Sequence, residues 1–305
     1  MADQGKVALT GSNPWAGIGW MALTGLMFVA VTGIVRYVGS DVPAPEAAFI
    51  RYVIGLVLML PFLLRLPLRG IGGRVVMVYG LRGLAHALAV ILWFYAMARI
   101  PIAEVTAIGY TSPIYITIGA ALFFGERLAL RRILAVLAGF AGAMVILRPG
   151  FQEVSQGQLA QVVSAPLFAL SYLIAKRLSR DQNPVLVVAM LSVFVTIGLA
   201  PFALAVWVTP AWTDVFWLGL VAVFATLGHF TMTKALAAAP LMVIQPVTFL
   251  QLVWATILGA LAFGEAVDVW VLAGGGIIIA AVSFISYREW VVARRAATPP
   301  PPAVK

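Results

Sequence analysis

The sequence predicts an all-α integral membrane protein, with ten transmembrane helices arranged as two inverted five-helix repeats. Three observations predict it. Hydrophobic residues make 63% of the chain, charged residues only 10%, and mean hydropathy is +1.03. A soluble domain carries about 25% charged residues, so lipid must be the solvent for most of this surface. One passage is also written twice. Residues 96–126, AMARIPIAEVTAIGYTSPIYITIGAALFFGE, align without a gap on residues 235–265, ALAAAPLMVIQPVTFLQLVWATILGALAFGE. They share Ala96/Ala235, Pro101/Pro240, Thr117/Thr256 and a closing Phe-Gly-Glu. The third observation is that most Lys and Arg residues sit in short gaps between apolar runs.

A window of about 19 residues suits a membrane helix. Such windows place spans at 15–38, 46–64, 75–98, 101–123, 129–147, 158–176, 185–208, 214–238, 241–263 and 267–287. The first is too long, and its flank too poor in basic residues, for a cleaved signal peptide. The expected organisation is an N-terminal cytoplasmic segment (1–14), a first repeat (15–147), a linker (148–157) and a second repeat (158–287). A cytoplasmic, Pro-rich, disordered tail (288–305) ends the chain, since Pro299 to Pro302 cannot continue a helix.

Charge sets the orientation. With the N-terminus inside, 15 basic residues fall on the inner side: Lys6, Arg65, Arg69, Arg74, Arg127, Arg131, Arg132, Lys176, Arg177, Arg180, Lys234, Arg288, Arg294, Arg295 and Lys305. Only Arg36, Arg99 and Arg148 fall outside, a strong positive-inside split. Both termini are therefore expected in the cytoplasm. Five spans per half is odd, so the second half enters the membrane from the opposite side, as in inverted-repeat transporters. Glu126 then closes its repeat inside among arginines, and its twin Glu265 closes outside beside Asp268, with no basic neighbour in sequence.

Other function classes find little support. The net charge is +9, but no basic stretch is long enough to track a phosphate backbone. There is no cysteine, which removes thiol catalysis and thiolate metal sites. No HExxH, no Ser-His pair at helical spacing and no GxxxxGK[ST] loop is present. No catalytic residue, metal or cofactor is expected. The rival readings are an intramembrane enzyme and a channel or lipid translocator; a channel would favour rings of like charge, which the chain lacks.

The motifs "FFGERLALRR", "FGEAVDVWVLAGG", "FIRYVIGLVLMLP" and "LRGLAHALAVILWFYAMARIP" resemble the drug/metabolite transporter superfamily, EamA type. The resemblance spans residues 15–287 and implies ten helices and transport of a small metabolite. It also implies a central cavity walled by helices one to four and six to nine, with five and ten to one side. "RGLAH", "FYA" and "YTSP" are similar to members that take up S-adenosylmethionine or riboflavin.

Charged groups inside a membrane usually face the bundle or a water-filled path. Arg82, His86 and Trp93 form a polar-aromatic stripe on helix three, either a cavity wall or a snorkelling arginine with a packing histidine. Arg51 and Glu104 lie near the outer end, as an outer gate or a static ion pair. Glu104, His86 and His229 are the candidate proton carriers if coupling exists. Pro113 in helix four and Pro246 in helix nine interrupt corresponding spans, marking a midplane site or packing kinks. Around them, Tyr110, Ser112, Tyr115, Gln245, Phe249, Gln251 and Trp254 are candidate substrate contacts, with rings suited to a flat ligand or an ammonium. Tyr110 and Gln251 are expected within reach of one ligand. Ala135-xxx-Gly139, Ala138-xxx-Gly142 and Gly276-xxx-Ala280 are expected to pack helices five and ten closely. The expectation is a secondary-active or facilitative carrier of small polar metabolites, amino-acid-like or flat like a nucleoside or vitamin. It would work by alternating access in a bacterial-type inner membrane, as a monomer or weak homodimer.

Overall fold

Each apolar run becomes a helix whose ends fall at caps and breakers. The computed structural model describes residues 13–64, 72–124, 130–178, 182, 184–239 and 241–297. Residues 1–12, Arg65, Arg69, Glu126, Arg127, Arg180 and the Pro-rich stretch from 298 lie outside the described residues. Helix α1 (Pro14–Val38) starts where the Asn13 side chain accepts from Ala16 N at 3.1 Å, with Pro14 in the first turn. It stops at Gly39, whose φ is 69°. There follow α2 (Ala44–Leu63) and α3 (Gly73–Met97). The fourth span is two pieces, α4 (Ile102–Gly109) and α5 (Ser112–Phe124). Then come α6 (Leu130–Leu147), α7 (Gln156–Leu178), α8 (Pro184–Ala205) and α9 (Trp212–Ala238). The ninth span is again two pieces, α10 (Leu241–Thr248) and α11 (Leu250–Phe263), and α12 (Val269–Ala297) closes the chain. Ten spans are long and apolar enough to cross a membrane. The expected disordered tail is corrected at one end: residues 288–297 continue α12, because nothing breaks the helix until the residue before Pro299.

The packing exchanges under a swap of halves. Helix α1 packs on α9 as α7 packs on α3, and α2 packs on α9 as α8 packs on α3. The pair α6 and α12 stands to one side, each the other's counterpart. A Cβ on Gly142 would lie 2.7 Å from the Gly274 carbonyl, and one on Gly274 2.5 Å from the Gly142 carbonyl, so the two backbones touch. Ala135, Gly139 and Gly142 are buried, as expected for the α6 face, but Ala138 is exposed and lies outside the contact. Gly276 and Ala280 are not in the contact: both are exposed, and the α12 face that meets α6 is Gly274 and Ile278. The register is off by two residues, which on a 100° helix is the opposite side.

The bundle is sealed at one end and divided at the other. The end where α1 and α3 finish is filled by one cluster that includes Val35, Phe94, Val105, Ala160, Leu199 and Leu218. It joins α1, α2, α3, α4, α7, α8 and α9. At the opposite end, Met21, Ala235, Ala239 and Ile244 tie α1 to α9 and α10. Tyr79, Leu178 and Val187 tie α3 to α7 and α8. No described cluster joins these two groups.

Candidate functional site

Rings and imidazoles from four helices meet midway along the bundle. Phe28 lies ten residues before the end of α1, and Phe168 ten residues before the end of α7, so they occupy equivalent places. The Phe28 ring meets His229 of α9 edge-on at 5.4 Å and 82°. The Phe168 ring meets His86 of α3 edge-on at 5.0 Å and 75°. Trp93 closes on Phe168 at 6.0 Å. His86 Nδ1 also lies 3.2 Å from Ser171 Oγ of α7. His86 is within electrostatic reach of His229 on α9 and of Arg51 on α2. The Arg51 guanidinium covers the Tyr52 ring at 4.1 Å and pairs with no carboxylate among the described residues.

Several expected contacts fall elsewhere. Arg82 neither snorkels nor lines this chamber. It is buried, and one guanidinium nitrogen donates to the Val187 carbonyl of α8 at 2.7 Å. Arg51 and Glu104 do not pair: Glu104 accepts from the Gln158 side chain of α7 instead. Tyr115 turns its ring onto Phe140 of α6 at 5.4 Å. Gln251 and Trp254 face α1, where a Cβ at Gly25 would lie 2.7 Å from the Trp254 ring and 3.6 Å from Gln251 Cβ. Ser112 opens α5, half-buried, and the Gln245 side chain lies outside the described residues. The structure thus brings together His86, Trp93, His229 and Arg51, and leaves Tyr110, Tyr115, Phe249, Gln251 and Trp254 in helix packing.

The two broken spans are pinned to each other. Span four breaks at Tyr110–Thr111, just before Pro113, which cannot donate to the preceding turn; span nine breaks at Phe249, three residues after Pro246, which itself lies inside α10. The Tyr110 hydroxyl donates to the Thr248 carbonyl at 3.1 Å, and its ring meets Phe249 edge-on at 5.3 Å. The Thr106 hydroxyl donates to the Ile102 carbonyl in its own helix. Tyr110→Phe is expected to leave the Thr248 acceptor short of a donor and to cost about 1–3 kcal/mol. Thermal unfolding of the purified variant in detergent measures this, and an unchanged midpoint would show that the bond carries no weight.

At the sealed end, Glu265 does what its sequence neighbours conceal. Gly264 adopts φ 64° and ends α11, turning Glu265 back toward the bundle. Its carboxylate takes Arg36 Nε of α1 at 3.1 Å and the Ile102 N–H at the start of α4 at 2.9 Å. Arg36 also donates to the Ala98 carbonyl after α3 at 2.9 Å. Asp268 pairs with Arg148, and Glu46 accepts the Val208 N–H at 2.9 Å. The absence of a basic neighbour for Glu265 was true only along the chain.

Comparison with known proteins fits this arrangement. The EamA-like transporter family matches the chain twice, at residues 15–148 and 155–287. The chain belongs to the EamA-like transporter family. It is 31% identical to a riboflavin transporter of Rhizobium johnstonii, over 94% of this chain and 96% of the relative. A riboflavin transporter of Vibrio cholerae is 32% identical, over 93% and 97%. An S-adenosylmethionine uptake transporter of Rickettsia bellii is 26% identical, over 90% and 94%. A crystal structure 21% identical shares the fold, with a TM-score of 0.55 over 90% of this chain and 98% of that one. The protein is a multi-pass membrane transporter of this family.

Sequence reasoning missed Phe28, Phe168, Ser171, Arg36 and Gln158. The two phenylalanines were within reach. They are 140 residues apart against the 139 of the repeat, so extending the self-alignment into the first helix of each half with a one-residue gap would have paired them.

Proposed function

We propose that this protein carries a flat small metabolite of the riboflavin type across the bacterial inner membrane by alternating access, and that it is a carrier and not an enzyme. The observation that supports this best is the ring-lined chamber where the halves meet. Phe28 with His229, and Phe168 with His86 and Trp93, present opposed aromatic edges between which a planar ring system can lie. The resemblance to riboflavin transporters over nearly the whole chain supports the same substrate class. Transport then requires the seal around Val35, Phe94 and Leu218 to part while the divided end closes. The positive-inside split puts the divided end on the cytoplasmic side, with both termini there.

Counterflow tests the reading without assuming a direction of net transport. Proteoliposomes preloaded with unlabelled riboflavin are expected to accumulate labelled riboflavin, and the accumulation should saturate. Uptake equal to that of protein-free liposomes would remove riboflavin-type transport.

A further inference from the structure

Resting on the carrier reading above, we infer that the chamber selects its ligand by charge: it takes a flat ring system with an anionic or carbonyl-rich edge, anchored by Arg51, and rejects ligands of net positive charge. The distribution of charge along the described helices carries the inference. Glu46, Glu104 and Asp214 each sit in the first turn of a helix, at the sealed end. All three accept a hydrogen bond there, and the second oxygen of Glu46 is buried with no partner among the described residues. Glu46 accepts the Val208 N–H, Glu104 accepts from Gln158, and Asp214 accepts the Ala211 N–H. Glu265 and Asp268 pair with Arg36 and Arg148 at the same end. Glu289 belongs to α12, which stands aside with α6. Asp41 and Glu153 lie exposed in the segments that follow α1 and α6, at the same end, so no acid with a described side chain is placed in the chamber.

The basic groups lie deeper. Arg51 is seven residues beyond Ala44, roughly 10 Å along α2 at 1.5 Å per residue. Arg82 is deep as well, but it is turned to α8: one nitrogen donates to the Val187 carbonyl, and its Nε is buried with no partner among the described residues. Arg51 is only half-buried, has no carboxylate and rests on the Tyr52 ring, so its outer donors remain available. The two imidazoles add donors and no negative charge. On the divided side, exposed Lys234 and Arg177 extend the positive character toward the opening.

A guanidinium held away from bulk water without a counter-anion is costly. The structure leaves that partner to the ligand. A carbonyl-rich ring edge can accept the guanidinium's hydrogen bonds and a phosphate can add the counter-charge, while the opposed rings take the flat face. A ligand with net positive charge would meet Arg51 in a low-dielectric space where like charges repel strongly. This separates two substrate classes named among the relatives. Riboflavin is flat, carbonyl-rich and uncharged near neutral pH. S-adenosylmethionine carries a sulfonium and an ammonium against one carboxylate.

The test is binding to the full-length protein in lipid nanodiscs, read by tryptophan fluorescence, with riboflavin, riboflavin 5′-phosphate and S-adenosylmethionine. Both flavins are expected to bind about tenfold or more tightly than S-adenosylmethionine, the worth of one good charged hydrogen bond. Arg51→Gln should weaken flavin binding by a similar factor and narrow the gap to S-adenosylmethionine. Arg51→Lys keeps the charge and should keep most of the discrimination. It also serves where the glutamine variant does not fold, as judged by its unfolding midpoint. S-adenosylmethionine binding as tightly as the flavins to the unaltered protein overturns the charge rule. So does unchanged flavin binding in a folded Arg51→Gln protein. If riboflavin counterflow succeeds alongside either result, the carrier reading stands and only the charge rule falls. If S-adenosylmethionine binds and moves while no flavin does, both fall.

Discussion

Glu265→Ala is expected to unlock the sealed end of the bundle. One carboxylate holds three elements there: Arg36 on α1, the first N–H of α4, and through Arg36 the Ala98 carbonyl that ends α3. Removing it leaves the Arg36 guanidinium without its acid, in a site where the Glu265 side chain is only 10% exposed. Stripping one partner from a buried pair costs about 3–5 kcal/mol, and the partial exposure of Arg36 places this site at the low end. Because the lost bonds exist only while this end is closed, the loss falls on the closed form. About 3 kcal/mol is a shift of more than a hundredfold between closed and open populations. The chain has no cysteine, so a single reporter cysteine can read the change. Leu218 is fully buried in the seal. Leu218→Cys should resist a membrane-impermeant maleimide in the native background and react once Glu265→Ala is added. Riboflavin counterflow should fall at least about tenfold, since a carrier that rests open to one side alternates poorly. Equal labelling in both backgrounds would mean that Glu265 does not hold the gate.

That network shows where the sequence stops being legible. Spans are readable because lipid leaves a helix no choice but to satisfy its own backbone and to be apolar for about 20 residues. The repeat is readable because both copies retained Phe-Gly-Glu at the end of a span. What Glu265 binds was not readable. Arg36 lies 229 positions away, and only the packing of one half's loop on the other half's helices brings them together. The broken spans were predicted from Pro113 and Pro246, and both break. That Tyr110 spans from one break to the other is a contact between halves, which no local pattern contains.

Side-chain direction was the other gap. In a soluble helix a polar face fixes which residues look inward. In a chain this apolar, both faces of α5 and α11 are hydrophobic, and Tyr115 was as free to face Phe140 as to face a ligand. His86 and His229 were easier, since an imidazole in a span seldom faces lipid. The same logic failed for Arg82, whose guanidinium turns to a backbone carbonyl of a neighbouring helix and leaves its Nε unpartnered among the described residues.

Gly83→Leu should prevent the halves from docking, and Gly276→Leu should be silent. Both are glycines in long apolar helices, and sequence alone ranks them alike. Gly83 sits where α3 crosses α8, and a Cβ there would lie 2.7 Å from the Phe194 carbonyl carbon and 2.9 Å from its oxygen. These are backbone atoms, so no rotamer change relieves the clash and the helices themselves must separate. Overpacking by even one methyl costs about 1–3 kcal/mol. Gly83→Ala should therefore lower the unfolding midpoint measurably, and leucine should leave little correctly assembled protein. The damage would spread, because Arg82 makes its bond to Val187 across the same crossing and Tyr79 stacks on Phe194 at 6.3 Å beside it. Gly276 has nothing within 4 Å of its would-be Cβ, so a leucine there meets only what surrounds the protein. Size-exclusion profiles of fluorescent fusions in detergent separate the two: a monodisperse peak for Gly276→Leu, and loss or aggregation for Gly83→Leu. A monodisperse, normally stable Gly83→Leu protein would show that α3 and α8 do not cross this closely, and with that contact would go the rigid wall that holds His86 in place.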